Sequence, residues 1–178
     1  MRHSVPAMMS GFALVIGLTL TACDEPTSAA ASNIAGVTDK ASPALINCPS
    51  KVTESATAIV SPLTGGTVSV GGSSVTLPAG LVSLPTPVTL TLPASSYVEM
   101  DVTLGAIEHL TFPLGLQATM TIDYSRCSRS DIDRAPLAAY YIDSDTKALL
   151  ENMHGTDDKT ARTVTFTTGH LSSYAVAQ

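Results

Sequence analysis

The chain has 178 residues, a net charge of −6 at pH 7, 13% charged residues and no tryptophan. This acidic balance argues against nucleic-acid binding and against electrostatic docking on anionic lipid, because both need a basic surface. The length allows one domain plus an extension, and the abundance of Thr, Ser and Val is typical of β-rich extracytoplasmic domains.

The N-terminal segment is predicted to be an export signal. An apolar run at residues 12–20 follows Arg2, and it has the length of a signal-peptide core but not the ~20 residues of a membrane span. The run ends in Leu20–Cys23 (LTAC), which resembles the lipobox of bacterial lipoproteins. That resemblance implies a signal peptide at residues 1–22 and a lipid, such as palmitate-containing diacylglycerol, on the Cys23 thiol. The alternative is an ordinary secretory signal with Cys23 free or disulfide-bonded.

Residues 23–45 are predicted to form a flexible linker, because they are small and polar and show no sustained period. The folded domain is then expected at residues 46–178. Together these segments predict an extracytoplasmic protein of the cell envelope that is anchored to a membrane through Cys23. Asp24 resembles an inner-membrane retention signal of enteric bacteria, but the rule differs between lineages, so inner and outer membrane both stay open.

The other two cysteines are predicted to form a disulfide. With Cys23 lipidated, Cys48 and Cys127 form an even pair in an oxidising compartment. Their bridge would close a loop of about 80 residues and stabilise the fold by about 4 kcal/mol on the chain-entropy model. Two unpaired thiols are the alternative. Zinc is disfavoured because neither cysteine has a C-x-x-C partner or a nearby histidine, and no cofactor is expected.

Two-residue alternation predicts a series of short strands from Ile59 onward. The predicted strands cover residues 66–70, 74–77, 87–92, 97–104, 107–112, 116–124, 137–142, 147–153, 162–168 and 171–176. Prolines bracket the third strand, which predicts an edge strand or strand-end prolines. The fourth and fifth are predicted to form a hairpin turning at Gly105. Roughly ten short strands predict an all-β fold, a β-sandwich.

Three motifs stand out along the predicted strands, namely Gly65–Val68 (GGTV), Val75–Gly80 (VTLPAG) and Gly169–Val176 (GHLSSYAV). In this order they resemble the ZU-five domain, the β-sandwich shared by ankyrins, netrin receptors and tight-junction scaffolds. The resemblance spans about residues 62–178, although Leu171 stands where eukaryotic members usually carry Phe. It implies a β-sandwich that serves as an interaction or structural module and not as an enzyme.

The closing motif could also carry chemistry. The resemblance implies that some relatives cut their own backbone at the bond that corresponds to Leu171–Ser172. The Ser172 hydroxyl would attack the Leu171 carbonyl with His170 as general base, and the acyl group would shift from nitrogen to oxygen. Water would then hydrolyse the resulting ester, and backbone strain would have to help. The alternative is that His170 lies in a turn while Leu171 packs in the last strand.

The acidic turns do not predict a metal site. Asp143, Asp145 and Asp157 suggest calcium, but Ala148 and His154 stand where an EF-hand loop needs Gly and Glu. We therefore interpret these carboxylates as exposed turn residues, and no metal site is predicted.

Two further polar groups are interpreted as structural. Glu108 and His109 fall in a predicted strand, where one side chain would face the core and the other the solvent. The loop after Cys127 interleaves acidic and basic residues, and we interpret it as solvated and not as an anion site. Its charged residues are Arg126, Arg129, Asp131, Asp133 and Arg134.

The sequence therefore predicts a membrane-anchored lipoprotein that acts as a non-catalytic binding or structural module at the cell envelope. Its partners would be the membrane, through Cys23, and a protein or envelope component, with no nucleic acid. The alternative function is a self-cleaving domain that cuts between Leu171 and Ser172.

Overall fold

The computed structural model describes residues 42–132 and 135–178, except for the side chain of Asp131. The predicted signal peptide, Cys23 and most of the predicted linker lie outside these residues. The described part is all-β apart from one helical turn, α1, at Arg129–Ile132. Its strands β1 to β13 are Glu54–Val60, Gly66–Val70, Ser73–Leu77, Thr86–Leu92, Glu99–Leu104, Leu110–Thr111, Ala118–Asp123, Ala138–Ile142, Leu149–Asn152, Thr156–Asp158, Thr163–Thr168, His170–Leu171 and Ser173–Ala177.

The strands form three antiparallel sheets. The six-stranded sheet has the order β1-β4-β5-β13-β8-β9, the five-stranded sheet has the order β10-β11-β7-β3-β2, and β12 pairs with β6 alone. Each large sheet turns its apolar residues toward a shared core, as the buried Met120 and Ile122 of β7 and the buried Leu90 and Val102 of the other sheet illustrate. The predicted all-β sandwich is confirmed.

Strand β13 organises the six-stranded sheet. It lies between β5 and β8, and all five of its residues are buried. Tyr174 and Val176 belong to the core, whereas the small side chains of Ala175 and Ala177 occupy the positions between them. Because β13 is buried on both faces, its residues must be apolar or small, and the sequence YAVA meets that need.

Most predicted strands are present, and β2 has the predicted bounds of 66–70. Strand β1 at Glu54–Val60 begins earlier than any predicted strand. Its ESATAIV sequence buries only Val60 fully and leaves Ile59 exposed, so the apolar alternation is weak. The three-residue β10 at Thr156–Asp158 was also not predicted, because it contains no apolar residue.

The predicted turn at Gly105 is present, because Leu104 and Ile107 exchange two backbone hydrogen bonds of 3.0 Å, but the two predicted strands do not continue from it as a hairpin. Strand β5 already has β4 and β13 as neighbours, so both of its edges are occupied. The following segment touches it only at the Leu104–Ile107 bridge and then leaves to pair Leu110–Thr111 with β12. Strand β4 likewise lies inside the sheet, so the prolines mark its ends and not an edge.

The pairing sorts the connections into two ends of the sandwich. One end, here called the loop end, carries residues 61–65, 78–85, 105–109, 112–117, 143–148 and 169–172. The opposite end, here called the tether end, carries residues 42–53, 71–72, 93–98, 124–132 and 159–162.

The first described residues enter the domain at the tether end. Leu45 bridges to Ala177, the last residue of β13, and the Ala44 amide donates to the Gln178 carbonyl at 2.9 Å. The predicted disulfide is present at this end and joins Cys48 to Cys127 with Cα atoms 5.1 Å apart. The start of the domain is thus crosslinked to the loop that follows β7.

Candidate functional site

The closing motif lies where the chain passes from one sheet to another. Leu171 ends β12 in the two-stranded sheet, and Ser173 begins β13 in the six-stranded sheet. Ser172 forms the bend between them and is 3% exposed. Its carbonyl accepts a hydrogen bond from the Val102 amide of β5 at 3.1 Å, so the bend is held against the sheet.

The histidine that contacts Ser172 is His109 and not His170. The Nδ1 atom of His109 lies 2.9 Å from Ser172 Oγ, and its ring is otherwise exposed. His109 and Glu108 both lie outside any strand and both are exposed, so their predicted strand placement is wrong. The pairing joins residues 63 positions apart, and nothing in the local sequence pattern around either residue indicates it.

The ring of His170 faces the aromatic residues beneath it. Its Nδ1 lies 3.0 Å from the Tyr174 hydroxyl, which donates to the His170 carbonyl at 2.6 Å. Its ring also meets Tyr141 edge-on at 5.0 Å between centroids. Burial lowers the pKa of His170, with a smaller opposing effect from Glu151. The structure therefore gives His170 a packing environment, whereas His109 has the contact that the sequence assigned to His170.

Two cavities share the Ser172–His109 contact as a common wall. The first has a volume of about 290 Å³ and is lined by carboxyl and hydroxyl groups, among them those of Asp101, Glu108 and Ser173. The second, of about 330 Å³, reaches Glu151 and His170. Burial raises the pKa of Asp101, and a hydrogen bond with Ser173 opposes that shift. The carboxyl and hydroxyl groups of the first cavity can form hydrogen bonds with a polar ligand.

The site holds some of what self-cleavage needs. Ser172 and His109 have the contact expected of a nucleophile and its base. However, the non-glycine residues with positive φ among the described residues are Lys147, His154 and Arg162, and none lies at the bond to be cut. Within the same residues, no hydrogen bond orients the second ring nitrogen of His109. The geometry supplies a base contact without left-handed strain at the Leu171–Ser172 bond.

The acidic turns stabilise their own loops. Hydrogen bonds from the backbone and hydroxyl of Thr146 lower the pKa of Asp143. Asp157 accepts from the Tyr124 hydroxyl at 2.5 Å and from the Leu137 amide at 2.9 Å. The described residues contain no group of three or more His, Cys, Asp or Glu that could hold a metal ion.

The loop end also carries exposed apolar side chains. Leu63, Leu84 and Leu114 are 85%, 71% and 106% exposed, and Ile107 is 48% exposed. Each side chain lies in a different connection of the loop end, and the four are here called the apolar tips. A single exposed leucine on a loop is ordinary, but four from separate loops at one end are a reason to look for a contact surface.

No protein-family model matches this chain, and neither a curated protein nor a solved structure is significantly similar to it. The resemblance to the ZU-five family therefore stays a prediction from the residues that carry it. Among the described residues, no helix has the length and apolar character needed to cross a membrane.

Proposed function

We propose that this chain is a membrane-anchored lipoprotein whose β-sandwich binds a protein or envelope partner through its loop end, without catalysis. One observation carries the proposal. The strand topology puts Leu45, where the domain begins, at the opposite end from the apolar tips. A domain held by its N-terminal side would present those tips away from the point of attachment.

The anchor itself is inferred from the sequence. The lipobox-like Leu20–Cys23 segment supports a lipid on Cys23, and the linker that follows has an r.m.s. span of roughly 25 Å if it is a flexible coil. Two or three acyl chains hold a protein durably because each buried methylene contributes about 0.8 kcal/mol. The disulfide at Cys48 supports the same orientation, because it fixes the start of the domain to the tether end.

The apolar tips support binding because covering an exposed leucine with a partner is favourable by about 25 cal/mol per Å² of apolar area buried. Residues that dominate protein interfaces are surrounded by polar residues. The first cavity adds hydrogen-bonding groups from the loop-end residues Glu108, His109 and Ser172.

Site-specific photo-crosslinking in the native cells tests the binding surface. A photoreactive side chain is placed at Leu63, Leu84 or Leu114, with Val52 as the matched control because it is equally apolar, 63% exposed and at the tether end. The proposal predicts the same crosslinked partner from each of the three substituted tips and none from Val52. Equal capture from Val52, or no capture from any tip, would contradict it.

The intact mass of the protein from its native membrane tests the anchor. The expected mass is that of residues 23–178 plus acyl groups, and Cys23→Ser should release the protein from the membrane. A mass without acyl groups would remove the lipoprotein part of the proposal but would leave the crosslinking result interpretable.

Self-cleavage is the second candidate, and the Ser172–His109 contact favours it. The same mass measurement tests it, because cleavage would give a chain ending at Leu171 and a separate SSYAVAQ peptide. If cleavage occurs, Ser172→Ala should abolish it and His109→Gln should slow it more than His170→Gln. A single uncut chain from wild type and Ser172→Ala alike would eliminate this candidate.

A further inference from the structure

A basic cavity at the tether end is separate from the Ser172 site. It has a volume of about 340 Å³ and is lined by Arg129, Ile132, Lys159, Thr160 and Arg162. Three of these five side chains are cationic in a chain whose net charge is −6. We propose that this basic cavity binds a phosphate group.

The cavity is built from two segments that are distant in sequence. Arg129 begins the helical turn α1, whereas Arg162 closes the turn between β10 and β11. The second turn is tightly hydrogen-bonded, since Asp158 Oδ1 accepts from the Thr160 and Ala161 amides at 2.9 Å each. Arg162 has a φ of 60°, a conformation that L residues rarely adopt, so its backbone conformation is set by the turn.

Arg162 has a hydrogen-bond donor that lacks an acceptor. Its Nη2 donates to the Cys127 carbonyl, but its Nε is buried and has no partner among the residues that the structure describes. A buried guanidinium donor without an acceptor is unfavourable, and an anion bound in the cavity would stabilise the charge of Arg162 by electrostatic attraction. Guanidinium groups also match the geometry of phosphate oxygens through paired N–H donors.

The acidic groups that the structure describes beside the cavity already have partners. Asp157 Oδ2 lies 3.0 Å from Lys159 Nζ, which also donates to the Ala135 carbonyl at 3.0 Å. Asp158 uses its carboxylate for the amides of its own turn. Lys159 is therefore paired with Asp157, whereas Arg129 and Arg162 are the residues that would donate to the phosphate oxygens.

The proposal departs from the sequence interpretation of the loop after Cys127 as solvated and not an anion site. Arg126 is structural, because it donates to the Cys48 and Tyr97 carbonyls at 2.9 and 2.6 Å. Arg129 instead lines a cavity with cations from another turn. The net negative charge does not prevent this, because exposed charges act over a Debye length of about 8 Å in physiological salt.

The position of the cavity suggests where a phosphate would come from. Arg162 contacts Cys127, and Cys127 is crosslinked to Cys48 at the start of the domain. If the anchor is as proposed, the linker leaves the domain from this end, so a lipid headgroup of the anchoring membrane is one source of the phosphate. A soluble phosphate ester has the same chemistry, and only this question of source depends on the proposed function.

Phosphate titration of the detergent-purified full chain tests the site. Thermal unfolding and ³¹P NMR should show saturable binding of inorganic phosphate, compared with chloride at equal ionic strength. Arg129→Gln should weaken binding at least about tenfold, because it removes a charge-assisted donor from an exposed position that the fold does not need. Lys51→Gln removes the same charge from an exposed position outside the cavity and should leave the affinity unchanged.

Two results would overturn the site. One is the absence of any phosphate effect beyond that of chloride, and the other is an equal loss in Lys51→Gln and Arg129→Gln. Arg162→Gln is a second variant, and its unfolding without phosphate shows whether the fold survives the change. Where it does, the same loss of affinity is expected.

Hydrogen exchange in nanodiscs separates the two sources. Protection of residues 127–132 and 159–162 in phosphatidylglycerol discs that disappears in Arg129→Gln would identify a lipid headgroup. Protection that appears only when inorganic phosphate is added would identify a soluble ligand. Protection in neither condition would contradict the proposal. Crosslinking from the apolar tips should be the same in Arg129→Gln and wild type, so failure of one proposal is distinguishable from failure of the other.

Discussion

The two ends of the sandwich differ in how their residues are held. At the tether end, a disulfide joins Cys48 to Cys127, and Arg126 donates to two backbone carbonyls. At the loop end, Leu63 and Leu114 extend into solvent, and one buried serine meets an exposed histidine beside two cavities. The tether end is crosslinked by side chains, whereas the loop end is held mainly by its strands.

This difference explains how the residues on one surface of the fold can vary while the core stays the same. The strand ladders fix the ends of each connection at the loop end, so the tips can change without loss of the core. The tether end cannot change so freely, because the start of the domain, the loop after β7 and the β10–β11 turn depend on one another there. The predictions below test this contrast, beginning with the largest expected effect.

The largest effect is expected at the tether end. Replacing both Cys48 and Cys127 by Ala should lower the free energy of unfolding by about 4 kcal/mol, since the bridge closes a long loop in the unfolded chain. Denaturant unfolding measures this, with Ser172→Ala as the loop-end comparison and an expected cost of about 1 kcal/mol. Equal costs at the two positions would break the contrast between the ends.

The second effect concerns an ion pair between the two ends of the sandwich, since Glu99 begins β5 directly after the tether-end residues 93–98. Lys147, in a loop-end connection, reaches the buried Glu99 at 2.6 Å, and Ser95 Oγ also donates to Glu99 at 2.5 Å. Lys147→Met should lower the free energy of unfolding by about 2 kcal/mol, because it leaves a buried carboxylate with one remaining partner. A double-mutant cycle with Glu99→Gln measures the coupling. A coupling near zero would mean that the two ends are independent.

Much of the fold could be predicted because its strands have simple alternation. Residues 66–70 read GTVSV between glycines, and the structure gives β2 those bounds. The disulfide could also be predicted, because only two cysteines remained once Cys23 was assigned. Strand β1 could not, since its small residues bury so little surface that the pairing partner, and not the pattern, decides the conformation.

The site was less predictable because it depends on contacts across the chain. The sequence paired Ser172 with the adjacent His170, whereas the fold brings His109 to it from another loop. The basic cavity was missed for the same reason. Arg129 and Arg162 are 33 positions apart and meet only when α1 packs beside the β10–β11 turn. Short-range spacing gives no information on such pairs.

A third, smaller effect tests the packing beneath the loop end. The buried Tyr174 hydroxyl meets Thr168 Oγ1 at 3.1 Å and the His170 carbonyl at 2.6 Å. Tyr174→Phe should lower the free energy of unfolding by about 1 kcal/mol, because it removes these hydrogen bonds in the core. Tyr140→Phe loses one bond, to Asn152, in a less buried place and should cost less. The reverse order would show that the layer beneath the loop end is not stabilised by Tyr174.

The smallest effect is a pH dependence that arises at the loop end. Burial lowers the pKa of His170, the neighbouring His109 adds to the shift, and Glu151 opposes it. The folded state therefore disfavours protonation, while the unfolded chain protonates near pH 6.5. The stabilisation due to neutral His170 is complete above that pH and is lost as the pH falls through the lower folded pKa. Denaturant unfolding between pH 7.5 and 5.5 should show this decline, and His170→Gln should reduce its slope. An unchanged slope would show that the pH sensitivity arises at other titrating groups and not at the partly buried ring of His170.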